Sequence, residues 1–341
     1  MSVFLNLASS QSNGSIGIFP VGISITSDSG FHSTIEENAA MTLLDSTLTL
    51  TSNGFTLAST PDRLGRLVPT DPSLPYAQLR EQFHAQGYLW LKGILDRNAV
   101  LDFRRRFFAA MDEAGLIAKG SDPVDGIYAG QGEDRQKVHK VLLESVRWAS
   151  YEAFCLAEPI VRFYENFLEG PTYLHKRKLL RHVLPGPHAA TGAHYDLVYL
   201  RGGTDRICTS WIPIGDIPVE MGGLVYLEGS DPWARQMEQE FNQRNAHLPR
   251  EERISAFKDA MYGGWLTKDL PALADRINGR WLVADYEAGD MMVHSPYMIH
   301  AATTNEATDG RMRLSTDIRY QLIRDEIDVR WANHWSFDDM L

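Results

Sequence analysis

Cysteine is nearly missing from this chain, with only Cys155 and Cys208 among 341 residues. Each lies in an apolar segment, which excludes a disulfide framework and fits a reducing interior. Long hydrophobic runs are lacking too, and no stretch approaches the roughly 20 apolar residues that cross a bilayer. Positive charge is in short supply. The formal net charge of −11 argues against nucleic acid or an anionic membrane as the main partner. Residues 1–62 contain no Lys or Arg at all. A secretory signal wants a positive opening and a mitochondrial presequence wants arginines, so a cytoplasmic protein is expected.

What is present falls into an extension and one folded unit. Residues 1–62 are rich in Ser, Thr, Gly and Asn and read as loosely packed, with Ile16–Ile25 apolar enough for a short strand and Met41 as another possible start. Residues 63–341 read as a single domain. Leu79 and Phe83 have helical spacing, Gly87 stops that helix, and Tyr88–Leu95 reads as a buried strand. Asp96 is a good N-cap for a helix that puts Val100, Phe103, Phe107 and Met111 on one stripe. Arg104, Arg105 and Arg106 read as its solvated face. Gly130-Gln131-Gly132 looks like the start of a dinucleotide loop, but Arg135 stands at the third glycine position and no strand precedes it.

Lys140–Leu168 reads as helical with a break at Pro159. Thr172–Leu184 reads as a strand carrying His175, Lys176, Arg177, Lys178, Arg181 and His182, which either faces an anion or guards a sheet edge. Further strands are expected at His194–Leu200, Arg206–Ile214, Trp281–Asp285, Asp290–Val293, Tyr297–Ala301 and Met312–Gln321, and Met221–Ser230 reads as a tight turn into another. A helical insertion over 233–280 interrupts them and is a candidate cover. Short strands with Gly/Pro turns, preceded by helices, make the fold mainly β with flanking helices, a sandwich or jelly roll.

The chemistry centres on His194-Tyr195-Asp196. On a strand, alternation puts His194 and Asp196 on one face. A third ligand must come from elsewhere, and His294 and His300 share a parity that suits either. Two imidazoles and a carboxylate bound as a facial set are the arrangement of non-haem Fe(II) oxygenases. Arg311 and Arg313 lie two apart, and a guanidinium there can grip a carboxylate in a bidentate pair. The residues alone also admit a zinc or manganese hydrolase or isomerase, or a non-catalytic small-molecule binding protein. The other histidines (His32, His84, His139, His247 and His334) read as surface or hydrogen-bonded residues.

Taken in order, these motifs resemble the phytanoyl-CoA dioxygenase family of Fe(II)/2-oxoglutarate-dependent oxygenases over residues 76–321. The resemblance rests on Gln82–Leu95, His194-Tyr195-Asp196, Trp211, Gly222–Ser230 and Gly289-Asp290 followed by His294 and His300. It implies a double-stranded β-helix, a jelly-roll and cupin-like core. It also implies Fe(II) held by His194, Asp196 and His300, with 2-oxoglutarate and O2 as co-substrates. Arg311, eleven residues beyond His300, takes the place of the family's 2-oxoglutarate arginine, with Arg313 as its rival. Thr209 and Trp211 join that co-substrate set, while Tyr195, Lys178 and Arg181 are assigned to the substrate. Departures are Tyr195 where Gln is usual and Ala302 where a small hydroxyl residue is common. Relatives that halogenate lack the carboxylate, so Asp196 points to hydroxylation, with desaturation or ring closure as variants. No coenzyme A signature is present, and the expected substrate is a small metabolite such as a biosynthetic intermediate.

Overall fold

The computed structural model describes residues 49–259 and 264–337, so the Ile16–Ile25 stretch and Met41 lie outside the described residues. Thr51–Ser52 (β1) pairs with Phe55–Thr56 (β2), and Leu50 and Leu57 on either side are buried. Ser52 Oγ donates to the Ala302 carbonyl at 2.9 Å and Thr51 Oγ1 to Glu306 at 2.7 Å. Residues 50–57, inside the stretch expected to be loosely packed, are therefore packed against the rest of the described residues. The physical reason is two leucines whose apolar surface is removed from water.

The chain continues through β3 (Leu64–Arg66), α1 (Tyr76–Gln86), β4 (Tyr88–Leu91), α2 (Arg97–Asp112), α3 (Arg135–Ser145), α4 (Ala149–Cys155) and α5 (Glu158–Phe167). Then follow β5 (Thr172–Leu174), β6 (Leu179–Val183), α6 (Leu197–Leu200), β7 (Ile207–Pro213), β8 (Leu224–Leu227) and the helices α7 (Ser230–Arg244), α8 (Arg250–Asp259) and α9 (Leu270–Ile277). The last strands are β9 (Trp281–Val283), β10 (Met291–His294), β11 (His300–Ala302) and β12 (Arg313–Leu322). Among the described residues no helix is long and apolar enough to cross a membrane.

Two sheets form the core. The larger runs β4-β10-β7-β12, with β5 and β6 both paired to the far edge of β12; the smaller runs β11-β8-β9-β3. Strand alternation sorts the side chains. Tyr88, Trp90, Trp211 and Met292 meet Tyr226 and Leu282 of the smaller sheet and Tyr286 beyond β9, and Tyr88 stacks on Tyr226 with centroids 5.1 Å apart. Leu89, Leu91, Ile212, Met291 and Val293 point the other way and pack with α1, α2 and α5. Both faces of these strands are buried, which is why they read as continuous apolar runs. Helices α7 and α9 pack through Ala234, Leu270 and Leu273 in the same cluster as Val225, Leu227 and Trp281. The architecture is a jelly roll, mainly β, with helices outside.

Three local expectations change. Arg104 is not on a solvated face: it is buried and donates to the carbonyls of Val124, Asp125, Ile214 and Met312. It joins α2 to loop backbone that would otherwise be unsatisfied, whereas Arg105 and Arg106 are exposed. The helical stretch breaks before Pro159, which occupies the first turn of α5, where its missing N–H is tolerated. The expected strand 172–184 splits into β5 and β6, since His175 bonds Gln321 at 2.8 Å and Lys178 turns to Glu152.

Candidate metal centre

His194 lies opposite His300 in an antiparallel bridge, with backbone N–H···O distances of 3.0 and 2.9 Å. Beyond Tyr195 the expected strand does not continue. Asp196 adopts helical angles, φ −66 and ψ −29, and opens α6, which brings its carboxylate under both rings. Ligand atoms of His194, Asp196 and His300 all lie within 4.8 Å of one another, and the three residues are buried.

Hydrogen bonds orient both imidazoles. His194 Nδ1 meets the Gly192 carbonyl and His300 Nδ1 the Met298 carbonyl, each at 2.9 Å. A carbonyl only accepts, so Nδ1 carries the proton and Nε2 offers its lone pair to the cluster. Burial lowers the pKa of both rings, that of His300 strongly, which keeps them neutral. Burial pushes Asp196 upward, but Arg319 and the neighbouring histidines outweigh it and hold the carboxyl well below its usual range. Neutral imidazoles and an ionised carboxylate are the forms that bind a metal. The donor set fits a divalent iron with open positions.

Asp196 is itself held in place. Thr209 Oγ1 donates to its Oδ2, and Arg319 Nη2 lies 3.2 Å from the same oxygen. His294 Nε2 stands 3.6 Å away, while its Nδ1 meets the Tyr226 hydroxyl at 2.8 Å. The parity shared by His294 and His300 is thus resolved: His300 is in the ligand cluster and His294 supports the carboxylate.

Two cavities of about 230 Å³ adjoin the centre and share Arg181 and Thr191. One contains His194 and Asp196 with Tyr199, Trp265, Arg319 and Trp331 on its walls. The other runs beneath β6 and β12 to Arg313, past Val183, Ala302 and Thr303. The segment before α9 closes over the first. Ala193 N–H donates to Thr267 O at 2.9 Å and Leu266 N–H to Ala193 O at 2.7 Å. A Cβ on Gly192 would come within 2.9 Å of the Trp265 ring and of Thr267 O, so glycine there permits the approach.

Several expected site residues stand elsewhere. Arg311 precedes β12, and its half-exposed side chain pairs with Asp309 outside the barrel. Its predicted parity with Arg313 needed both residues in the strand, and only Arg313 is. Arg313 is 3 % exposed; its Nη1 donates to Gly222 O and its Nε has no partner. Tyr195 points away from the metal ligands and donates to Glu238 at 2.6 Å. Lys178, fully buried, pairs with Glu152 on α4 and does not line the cavity. Trp211 packs against Tyr286, with centroids 4.8 Å apart, and so belongs to the inter-sheet core. Thr209 serves Asp196 rather than a co-substrate. Arg181 does line both cavities, paired with Asp317 at 2.6 Å. Arg319 was missed, although it shares the strand parity of Arg313 and that signal was available.

The family model described as phytanoyl-CoA dioxygenase matches residues 83–313, well over half of the chain. The 1-deoxypentalenic acid 11-beta-hydroxylase of Streptomyces arenae is 24 % identical over 259 residues, spanning 73 % of this chain and 83 % of that protein. Among solved structures, the epimerase SnoN in complex with Fe3+, alpha ketoglutarate and nogalamycin RO is similar at a TM-score of 0.49 and 19 % identity, over 75 % of this chain and 87 % of that one. EctD from S. alaskensis, in its apoform, gives a TM-score of 0.48 at 15 % identity, over 79 % and 86 % of the two chains.

Proposed function

Because this chain belongs to the phytanoyl-CoA dioxygenase family, and is thereby an Fe(II)/2-oxoglutarate-dependent oxygenase, we propose that it hydroxylates an unactivated C–H bond of a small-molecule biosynthetic intermediate. The observation that carries this is the buried His194–Asp196–His300 cluster with both Nε2 atoms turned inward. His194, Asp196 and His300 would hold the iron, which with 2-oxoglutarate would supply O2-dependent C–H oxidation with succinate and CO2 as co-products. The protein's part is to hold the ligands, grip the co-substrate and exclude water. Retention of Asp196, locked by Thr209 and Arg319, supports hydroxylation over halogenation. So does the hydroxylase activity in the name of the Streptomyces arenae relative.

Arg313 is the residue we assign to the far carboxylate of 2-oxoglutarate. It is buried on the wall of a cavity that shares Arg181 and Thr191 with the one lined by His194 and Asp196, and its Nε is unpartnered. A zinc hydrolase on the same scaffold would have no use for such a cation. Trp265 and the segment behind it are the cover that shields the reacting carbon.

The test is to add Fe(II) and 2-oxoglutarate to the protein without oxygen and follow the weak visible band of the chelate. Arg313→Ala should need roughly 10- to 100-fold more 2-oxoglutarate, the worth of one lost charge-assisted contact. Arg311→Ala should behave like the parent. Alanine at His194 or Asp196 should abolish turnover with the fold intact. No band from well-folded parent protein would sink the iron reading, and a band sensitive only to Arg311 would move the anchor back there.

A further inference from the structure

Arg319 is a charge that the ligand set and the co-substrate anchor leave unexplained. It is 4 % exposed, its Nη2 reaches Asp196, and its Nε and Nη1 have no partner. Asp196 does not neutralise it alone, since that carboxylate also serves Thr209, His294 and the metal. A second cation is near: Arg177 and Arg319 each place Cζ 4.8 Å from the Trp331 ring. Arg181, on the same cavity wall, is committed to Asp317. Arg319 itself, with two nitrogens unpartnered, is an under-paired buried cation, which is costly unless an anion joins it.

The geometry also says what kind of anion. The open nitrogens, Nε and Nη1, lie on different edges of the guanidinium, so a carboxylate meets Arg319 through one charge-assisted hydrogen bond. Around it the wall is aromatic, from Tyr199, Trp265 and Trp331, which suits an apolar body. Resting on the iron and 2-oxoglutarate reading above, we propose that Arg319, flanked by Arg177, receives the carboxylate of the molecule to be oxidised. The substrate is then a small organic acid. Because Arg319 touches a metal ligand directly, the carbon that reacts lies close to the acid group, not at the far end of a long chain.

The same chemistry has a second source, the carboxylate of 2-oxoglutarate next to its keto group, and the experiment separates the two. Protein loaded with Fe(II) and 2-oxoglutarate without oxygen is titrated with cyclohexanecarboxylate and phenylacetate, and separately with their methyl esters. Tryptophan fluorescence and the visible band are both followed. The acids should bind at least ~10-fold more tightly than the esters, the worth of one charge-assisted pair. Each variant is read with Fe(II) raised to saturation, because Arg319 also holds Asp196. Under that condition Arg319→Gln should erase the acid preference, Arg319→Lys should keep part of it, and the 2-oxoglutarate needed for half the band should not rise. Equal binding of acid and ester, or no binding of either at millimolar concentration, overturns the proposal. A variant that weakens 2-oxoglutarate instead also overturns it and gives Arg319 to the co-substrate. If Arg319→Gln does not fold, the acid–ester comparison on the parent protein still decides. Failure of the iron reading shows separately, as a missing band, while the fluorescence comparison stays readable.

Discussion

At the scale of single residues, the carboxylate of Asp196 is positioned by its neighbours as much as by its own backbone. Thr209 Oγ1 and Arg319 Nη2 both reach Oδ2, and His294 stands behind them. Such outer partners orient a ligand, and losing one typically lowers metal affinity about 10- to 100-fold. Thr209→Val keeps the shape and removes the hydroxyl. It should shift the iron titration of the chelate band by that factor while leaving the urea midpoint nearly unchanged. An unchanged iron titration would show that the hydroxyl does not position the ligand. The His194-x-Asp196 pair was legible in the sequence because its spacing is local, and the resemblance added His300 from far along the chain. The role of Thr209 was not, because it depends on which face of β7 turns toward α6.

Elements are tied together by groups that look superficial in the sequence. Arg104 sits in a run of three arginines, yet it alone is buried and bridges α2 to four carbonyls beyond that helix. Burial lowers its pKa to about 10, so it stays charged at neutral pH. Replacing it with Met leaves those carbonyls unpaired, and hydrogen bonds to charged groups are worth roughly 1.5–3 kcal/mol each. Arg104→Met should cost on the order of 3 kcal/mol by urea unfolding, whereas Arg105→Met should cost little. Helical periodicity does show that Arg104 lies beside Phe103 and Phe107. It does not show that the loop after α2 folds back beneath it.

The whole molecule carries a pH dependence to which rings outside the metal site contribute. His175 is fully buried, and burial lowers its pKa to about 4 against the opposing hydrogen bond that its ring donates to Gln321. His182 is lowered to about 4 in the same way. In the unfolded chain such a ring takes up its proton near pH 6.5, while the folded ring resists until about 4. Stability is therefore fully present above about pH 6.5 and falls as the pH drops toward 4, with His175 alone contributing on the order of 3 kcal/mol. Urea midpoints between pH 7.5 and 4.5 should decline across that window, and less steeply in His175→Gln. A flat profile would mean that these rings are not buried neutral.

The sequence alone determined the mainly β architecture with its helical flanks, the family and the His194-x-Asp196 pair at its candidate site. Those features follow from alternation, from turn residues and from motif order, all of which are read along the chain. Only the tertiary structure decided which arginine faces the barrel. Arg311 and Arg313 share a parity, but side-chain direction depends on where pairing begins, and β12 begins at Arg313. It also turned Tyr195 and Lys178 away from the cavity and brought Arg319 to the metal ligands. Burial and pairing are set by neighbours far apart in sequence, and local pattern carries no record of them.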